Sequence, residues 1–267
     1  MLNAESLFDL SEFRYADLFA TNDFAWLALN KLKSYMDSIS YPDFDRTLVP
    51  DGKPLPETVI LHEGKCISSG EIEIEYGDTT KGGLKATRNK QILEGATVIM
   101  AGAVLTGDRI ALGQGVLIES GAMIKSPAVL DDWCEVRQGA YLRGYCLAGK
   151  RCVLGHATEV KHSIFLDDAK AGHFAYLGDS ILGNNANLGA GTKFANLKMI
   201  KGNVIIRHNG DRIDTGRRKF GAILGDESQT GCNSVTNPGT IFGKQCMLLP
   251  NTTSPAGFHK AKSLIRK

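Results

Sequence analysis

Between Leu112 and Phe165 the sequence repeats every six residues. One position of the hexad is taken in turn by Leu112, Ile118, Ile124, Leu130, Val136, Leu142, Ala148, Leu154 and Val160. The position four later holds Val116, Ala122, Ala128, Cys134, Ala140, Cys146, Cys152, Thr158 and Ile164. An amphipathic helix brings its apolar face round about every 3.6 residues and a half-buried strand every second residue, so this series fits neither. Three hexads close one triangular coil, and residues about eighteen apart then lie above one another at roughly the 4.8 Å separation of neighbouring strands. Aliphatic side chains fill the interior, and the small residue sits where two flat faces meet. The repeat predicts a mainly β chain folded as a parallel β-helix, whose ends must be covered by other elements.

The flanks divide accordingly. Residues 1–42 read as an N-terminal helical cap, with Leu7, Phe8, Leu10 and Phe13 at helical spacing and an amphipathic helix over Asp23–Ile39. Residues 43–90, with the turn DGKPLP and the alternating runs TVILHEGKCI and GEIEIEY, read as a small β-rich lead-in. The β-helix itself is expected over 91–254, starting with weaker phasing in which Val98, Val104 and Ile110 hold the small position. Its register slips between Leu166 and Leu182, in a segment that contains His173. A hairpin insertion at 197–222 turns at Asn209-Gly210 and carries Lys201, Arg207, Arg212, Arg217, Arg218 and Lys219. Residues 255–267 are expected as a C-terminal tail.

A net charge of +2 gives no case for a nucleic-acid partner. No run approaches the roughly 20 apolar residues that span a bilayer, so no membrane partner is expected. The opening MLNAESLFDLSEF lacks a basic region followed by an apolar core, and Cys134, Cys146, Cys152 and Cys246 occupy small inward positions rather than pairing positions. A cytoplasmic, reducing compartment is the expectation.

Chemistry enters through the coils. Lys125, Arg143 and Lys161 share the second place of their hexads at intervals of eighteen, which stacks three cations on one edge of the column. At about 5 Å such stacking costs on the order of 1 kcal/mol per pair in water, and a bound phosphate relieves it. Splayed side chains or acidic neighbours are the alternative. His173 lies at the register break, where an imidazole can serve as a general base or simply bond to backbone. Zinc on His156, His162 and His173 is the other reading, but it requires three imidazoles converging at a subunit junction, and no metal is expected.

The stretches KAGHFAYLGD (170–179) and NNANLGAGT (184–192) resemble the acetyltransferase domain of the bifunctional N-acetylglucosamine-1-phosphate uridyltransferase family. TGRRKFGAILGD is similar to the archaeal members, and the resemblance covers roughly Val136 to Pro250. It implies a left-handed β-helix, a homotrimer, acetyl-CoA as cosubstrate and glucosamine-1-phosphate as acceptor, in the synthesis of UDP-N-acetylglucosamine. Residue by residue, it implies that His173 is the general base and that Asn196 positions the amino group. Arg143 and Lys161 then bind phosphate, Tyr176 and Asn187 hold the sugar phosphate, and Lys219 reaches in from an adjacent subunit. The nucleotidyltransferase half has no counterpart here, residues 1–90 match nothing in that domain, and Leu197 stands where the family usually has tyrosine. The alternative is a non-catalytic sugar-phosphate-binding module, or an assembly partner of a separate nucleotidyltransferase.

Overall fold

In a computed structural model describing residues 2–20 and 23–266, the hexads wind into a left-handed parallel β-helix with three faces. The first face carries Leu117–Ile118, Glu135–Val136, Val153–His156, Lys170–His173 and Asn187–Leu188 within an 11-stranded sheet. The second is an 8-stranded sheet that includes Met123–Lys125, Tyr141–Arg143, Glu159–Lys161 and Tyr176–Gly178. The third, also 8-stranded, includes Ala128–Leu130, Cys146–Ala148, Ser163–Phe165 and Ile181–Leu182. Met1, Thr21, Asn22 and Lys267 lie outside the described residues.

The aliphatic series forms the interior, where Ile118, Ile124, Val136, Leu142 and Val160 are completely buried. The small series occupies the corners, and its thiols and hydroxyls bond the carbonyls of the next coil: Cys134 Sγ donates to Gly149 O at 2.9 Å, and Cys152 Sγ to Leu166 O at 2.9 Å. Burial pushes the Cys146 thiol up to about 12, so it is a neutral packing group.

Register departs from the expectation in three places. In the first coil the small positions are Thr97 and Ala103, because seven residues rather than six separate inward Leu105 from Leu112. Val98 therefore faces outward beneath the lead-in. The slip expected between Leu166 and Leu182 is two single-residue deletions, since Cys146 pairs with Ser163 and Ile164 with Ile181. Both deletions fall at the corner between the second and third faces, where the pair Gly144 and Tyr145 gives way to one left-handed residue, His162 and then Asp179. Ser163, not Ile164, thus takes the small position.

Outward on the third face runs an unbroken apolar column: Ala111, Val129, Leu147, Ile164, Ile181, Ile223, Ile241 and Phe258. The N-terminal segment and the hairpin insertion cover it, with Phe8, Leu18, Trp26, Leu29, Val204, Ile206 and Phe220 in one buried cluster. The N-terminal segment therefore lies along a flank, not over an end, and between its two α-helices it runs through bends, turns and one 3-10 turn at Ala16–Leu18. Its α-helices are Ala4–Leu7 and Leu27–Ser38, while Phe8, Phe13 and Phe19 pack edge to face. Asn3 bridges Phe24, which holds Asp23–Trp26 out of the expected helix. The open end of the stack is plugged instead by Phe44, Val49 and Leu55 from the lead-in. The lead-in's strands Val59–His62 and Lys65–Ser68 extend the first face antiparallel, and Ile72–Glu75, Lys85–Arg88 and Gln91–Ile92 form a separate three-stranded sheet. The segment expected as a tail continues the solenoid, because Gly257–His259 and Leu264–Ile265 pair with the preceding coil.

Neighbouring coils approach so closely at Gly155 that an added Cβ would overlap the Gly172 carbonyl. Gly155→Ala is expected to cost about 1 to 3 kcal/mol through overpacking, read as a lower urea midpoint; an unchanged midpoint would contradict this stacking.

Candidate functional site on the second face

Second-face strands present two outward columns. One runs Tyr141, Glu159, Tyr176 and Lys193. The other runs Lys125, Arg143, Lys161 and Gly178, so the expected cation ladder is in register on one side of the column. Its repulsion is relieved unevenly. Lys125 Nζ and the Arg143 guanidinium lie over the Tyr141 ring, at 5.3 and 5.9 Å from its centroid. Arg143 Nη1 also pairs with Glu159 Oε1 at 2.6 Å. That pair is largely solvated, contributes little to stability, and leaves guanidinium donors free. Among the described residues Lys161 makes no ion pair, and above it the ladder stops at glycine.

That glycine opens a notch. A Cβ at Gly178 would stand 2.5 Å from Asn196 Nδ2 and 2.7 Å from Tyr176 Oη, so only glycine lets these two side chains close over the ladder's end. Tyr176 Oη donates to Asn196 Oδ1 at 3.4 Å, and burial followed by the Glu159 and Asp179 carboxylates raises its phenol above the ordinary value. Arg143, Lys161, Tyr176 and Asn196 are thus gathered on one face. His173 stands at the corner that leads into this face, exposed, in register with His156 and tilted against Phe174. Ala190 and Cys232 follow it in the same corner column, so the two coils next to the imidazole carry small side chains there.

Two expected residues are not brought to the notch. Asn187 points outward from the first face, exposed and in register with Lys170. Lys219 is exposed at the base of the insertion, its backbone bridged to Leu197.

Behind the notch lies a cluster in which the sequence points to Asn196 but gives no role to Asp179 or Arg217. The two coil deletions place His162, Asp179 and Asn196 at intervals of seventeen, on one corner. Asp179 is buried there; it accepts from Asn196 Nδ2 at 2.8 Å and Arg217 Nη2 at 3.0 Å, and lies 3.0 Å from His162 Nδ1. Arg217 comes from the hairpin insertion and also bonds Asn30 Oδ1 at 2.5 Å on the helix Leu27–Ser38. The seventeen-residue spacing was visible in the sequence, but Arg217 was one basic residue among six in a loop.

Burial alone would raise the Asp179 carboxyl, but the hydrogen bonds of His162 and Asn196 and the charges of His162 and Arg217 hold it below its ordinary 3.8. A depressed carboxylate stabilises the fold above its unfolded value and loses that contribution as pH falls through the folded one. Wild type should therefore unfold at a higher temperature than Asp179→Asn near neutrality. The difference should shrink as the pH falls below 3.8. A difference that persists or widens in acid would contradict the assignment.

The chain resembles the acetyltransferase domain of curated proteins whose names combine acetyl transfer with nucleotidyl transfer. It is 37% identical over 111 residues to a bifunctional sugar-1-phosphate nucleotidylyltransferase/acetyltransferase of Sulfurisphaera tokodaii, covering 42% of this chain and 28% of that protein. Over 109 residues it is 36% identical to the bifunctional protein GlmU of Methanocaldococcus jannaschii, covering 41% of this chain and 26% of that one. The chain thus spans little more than a quarter of the length of these curated relatives. Among solved structures, a mutant GDP-perosamine N-acetyl transferase from Caulobacter crescentus aligns over 60% of this chain and 52% of its own, at 14% identity and a TM-score of 0.21. No protein-family model matches the chain.

Proposed function

We propose that the protein transfers acetyl from acetyl-CoA to the nitrogen of an amino-sugar 1-phosphate, with glucosamine-1-phosphate the first candidate. It would do so as a homotrimer supplying UDP-N-acetylglucosamine synthesis. The observation that carries this reading is the cation column that ends at Gly178 beneath Tyr176 and Asn196, one corner away from an exposed imidazole. The names of the curated relatives support the same class of chemistry.

In this reading Arg143 and Lys161 hold the phosphate, and Arg143 recruits the donors that Glu159 leaves free. Tyr176 and Asn196 meet the sugar. Anchoring the phosphate aligns the amine and removes the entropy of that alignment from the barrier. Acetyl-CoA supplies an activated thioester, for which the small residues Ala190 and Cys232 beyond His173 leave room. His173 takes a proton from the substrate ammonium and releases it to solvent, and the freed amine attacks the thioester carbonyl to form the new C–N bond. His173 then removes the second proton from the nitrogen of the adduct and hands it to the thiolate that departs as the C–S bond breaks. Asn187 and Lys219, which do not reach the notch of their own chain, would complete it from a neighbouring copy.

The test is CoA thiol release from acetyl-CoA with a panel of amino-sugar phosphates. His173→Ala should lose at least about a hundredfold in kcat while keeping the wild-type oligomeric mass. Arg143→Ala and Lys161→Ala should each raise KM for the sugar phosphate about tenfold or more, with KM for acetyl-CoA unchanged. Sugar-phosphate binding without any thiol release would favour a binding module or assembly partner, and full activity of His173→Ala would overturn the mechanism.

A further inference from the structure

The side chains behind the notch form a chain with a fixed direction. At its inner end the Asp179 carboxylate can only accept. Its Oδ1 is occupied by His162 Nδ1 and Arg217 Nη2, each at 3.0 Å, which leaves Oδ2 for the Asn196 amide. Asn196 must therefore turn its NH2 inward, because the reverse orientation sets its carbonyl oxygen against a carboxylate oxygen. The carbonyl oxygen consequently faces outward and takes the hydrogen of the Tyr176 hydroxyl at 3.4 Å. With its one hydrogen so committed, Tyr176 Oη shows the notch only lone pairs.

The clamp is built into the fold rather than placed by chance. Asp179 and Arg217 side chains are 9% and 11% exposed, and a buried charge pair of this kind is costly to leave half-made. Arg217 is braced a second time, through Nε to the Lys219 carbonyl at 3.1 Å and through Nη1 to Asn30. Asp179 and Asn196 occupy the short corner and the start of the insertion, and the insertion's return donates from Gly221 N to the Asp179 carbonyl at 3.0 Å. The insertion thus supplies the cation that fixes the carboxylate.

We propose that Asp179 and Arg217 are positioning residues that set the direction of the chain Tyr176 to Asn196 to Asp179, so that Tyr176 Oη is an acceptor for an N–H or O–H of the bound ligand. The ligand edge at Tyr176 must then be a donor, as an ammonium or a sugar hydroxyl is and an ether or carboxylate oxygen is not. This rests on the reading of the face as an amino-sugar phosphate site, and it adds which atom recognises a donor group and what enforces that choice. Hydrogen bonds linked in one direction polarise one another, so the carboxylate is felt at the phenol two links away.

Asp179→Asn removes the direction, because an amide at that position offers Asn196 either a donor or an acceptor. In thiol release, kcat/KM for the amino-sugar phosphate should fall about tenfold, with KM for acetyl-CoA unchanged. In a Tyr176→Phe background the same substitution should change kcat/KM less than about twofold, since the atom it acts through is gone. An equal loss in both backgrounds would mark Asp179 as a structural residue and overturn the proposal. A second arm needs neither turnover nor a variant: a neutron structure of the deuterated wild-type protein should show the Tyr176 deuterium directed at Asn196 Oδ1. A deuterium turned to solvent would overturn the proposal. Wild type releasing no thiol with any amino-sugar phosphate would refute the functional reading alone, and the neutron map would still decide the hydrogen-bond direction.

Discussion

Coil-on-coil stacking at a single fixed rise governs this structure. A triangular coil has too little interior to be stable alone; it exists because the inward aliphatic residue of each strand rests on its counterpart one coil below. The same constraint that builds the core dictates the surface. Any residue type that recurs with the coil length becomes a straight column, and Lys125, Arg143 and Lys161 form one. Like charges placed this way would weaken an ordinary sheet. Here Tyr141 and Glu159 in the adjacent column offset part of that repulsion, and the proposed sugar phosphate would offset more of it.

The three faces are treated unequally. The third is apolar outside as well as in, and it is sealed by the N-terminal segment and the insertion. The lead-in plugs the open end with Phe44, Val49 and Leu55. These additions leave the second face, and the corner bearing His173, open. The insertion does two things at once: its apolar residues complete the third-face cover, while Arg217 reaches the corner and fixes Asp179. Shortening the coil by one residue brings His162, Asp179 and Asn196 into line at that corner, where a longer corner would have set Tyr145 or its equivalent between them.

The solenoid was legible because its period is unlike that of any other secondary structure, and the cation ladder followed from the same period. The motif around His173 carried a resemblance that supplied roles for Tyr176 and Asn196, which the fold sets side by side. What escaped the sequence reading depended on contacts between distant segments. Nothing local distinguishes Arg217 from Arg218, yet one is clamped on Asp179 and the other is exposed. The spacing of Phe8 and Phe13 allows a helix, whereas both lie outside the α-helices, in irregular chain packed on the third face. A signal for that face is present: the triplets AVL, CLA, SIF, AIL and TIF carry no charge and hold an apolar residue at their outward middle place, while MIK, YLR and EVK on the second face each carry a charge. The tail beyond 254 was missed because Gly257 and His259 take positions where the earlier coils carry small and bulky apolar residues.

The central claim is that a cation column ending in a glycine notch is a phosphate seat on the second face. Calorimetric titration of the wild-type protein with an amino-sugar 1-phosphate and with the same amino sugar lacking phosphate tests this most directly. The account predicts binding at least about tenfold tighter for the phosphorylated sugar, with the difference shrinking as salt is raised. Equal affinity for the two sugars, or a difference insensitive to salt, would contradict it.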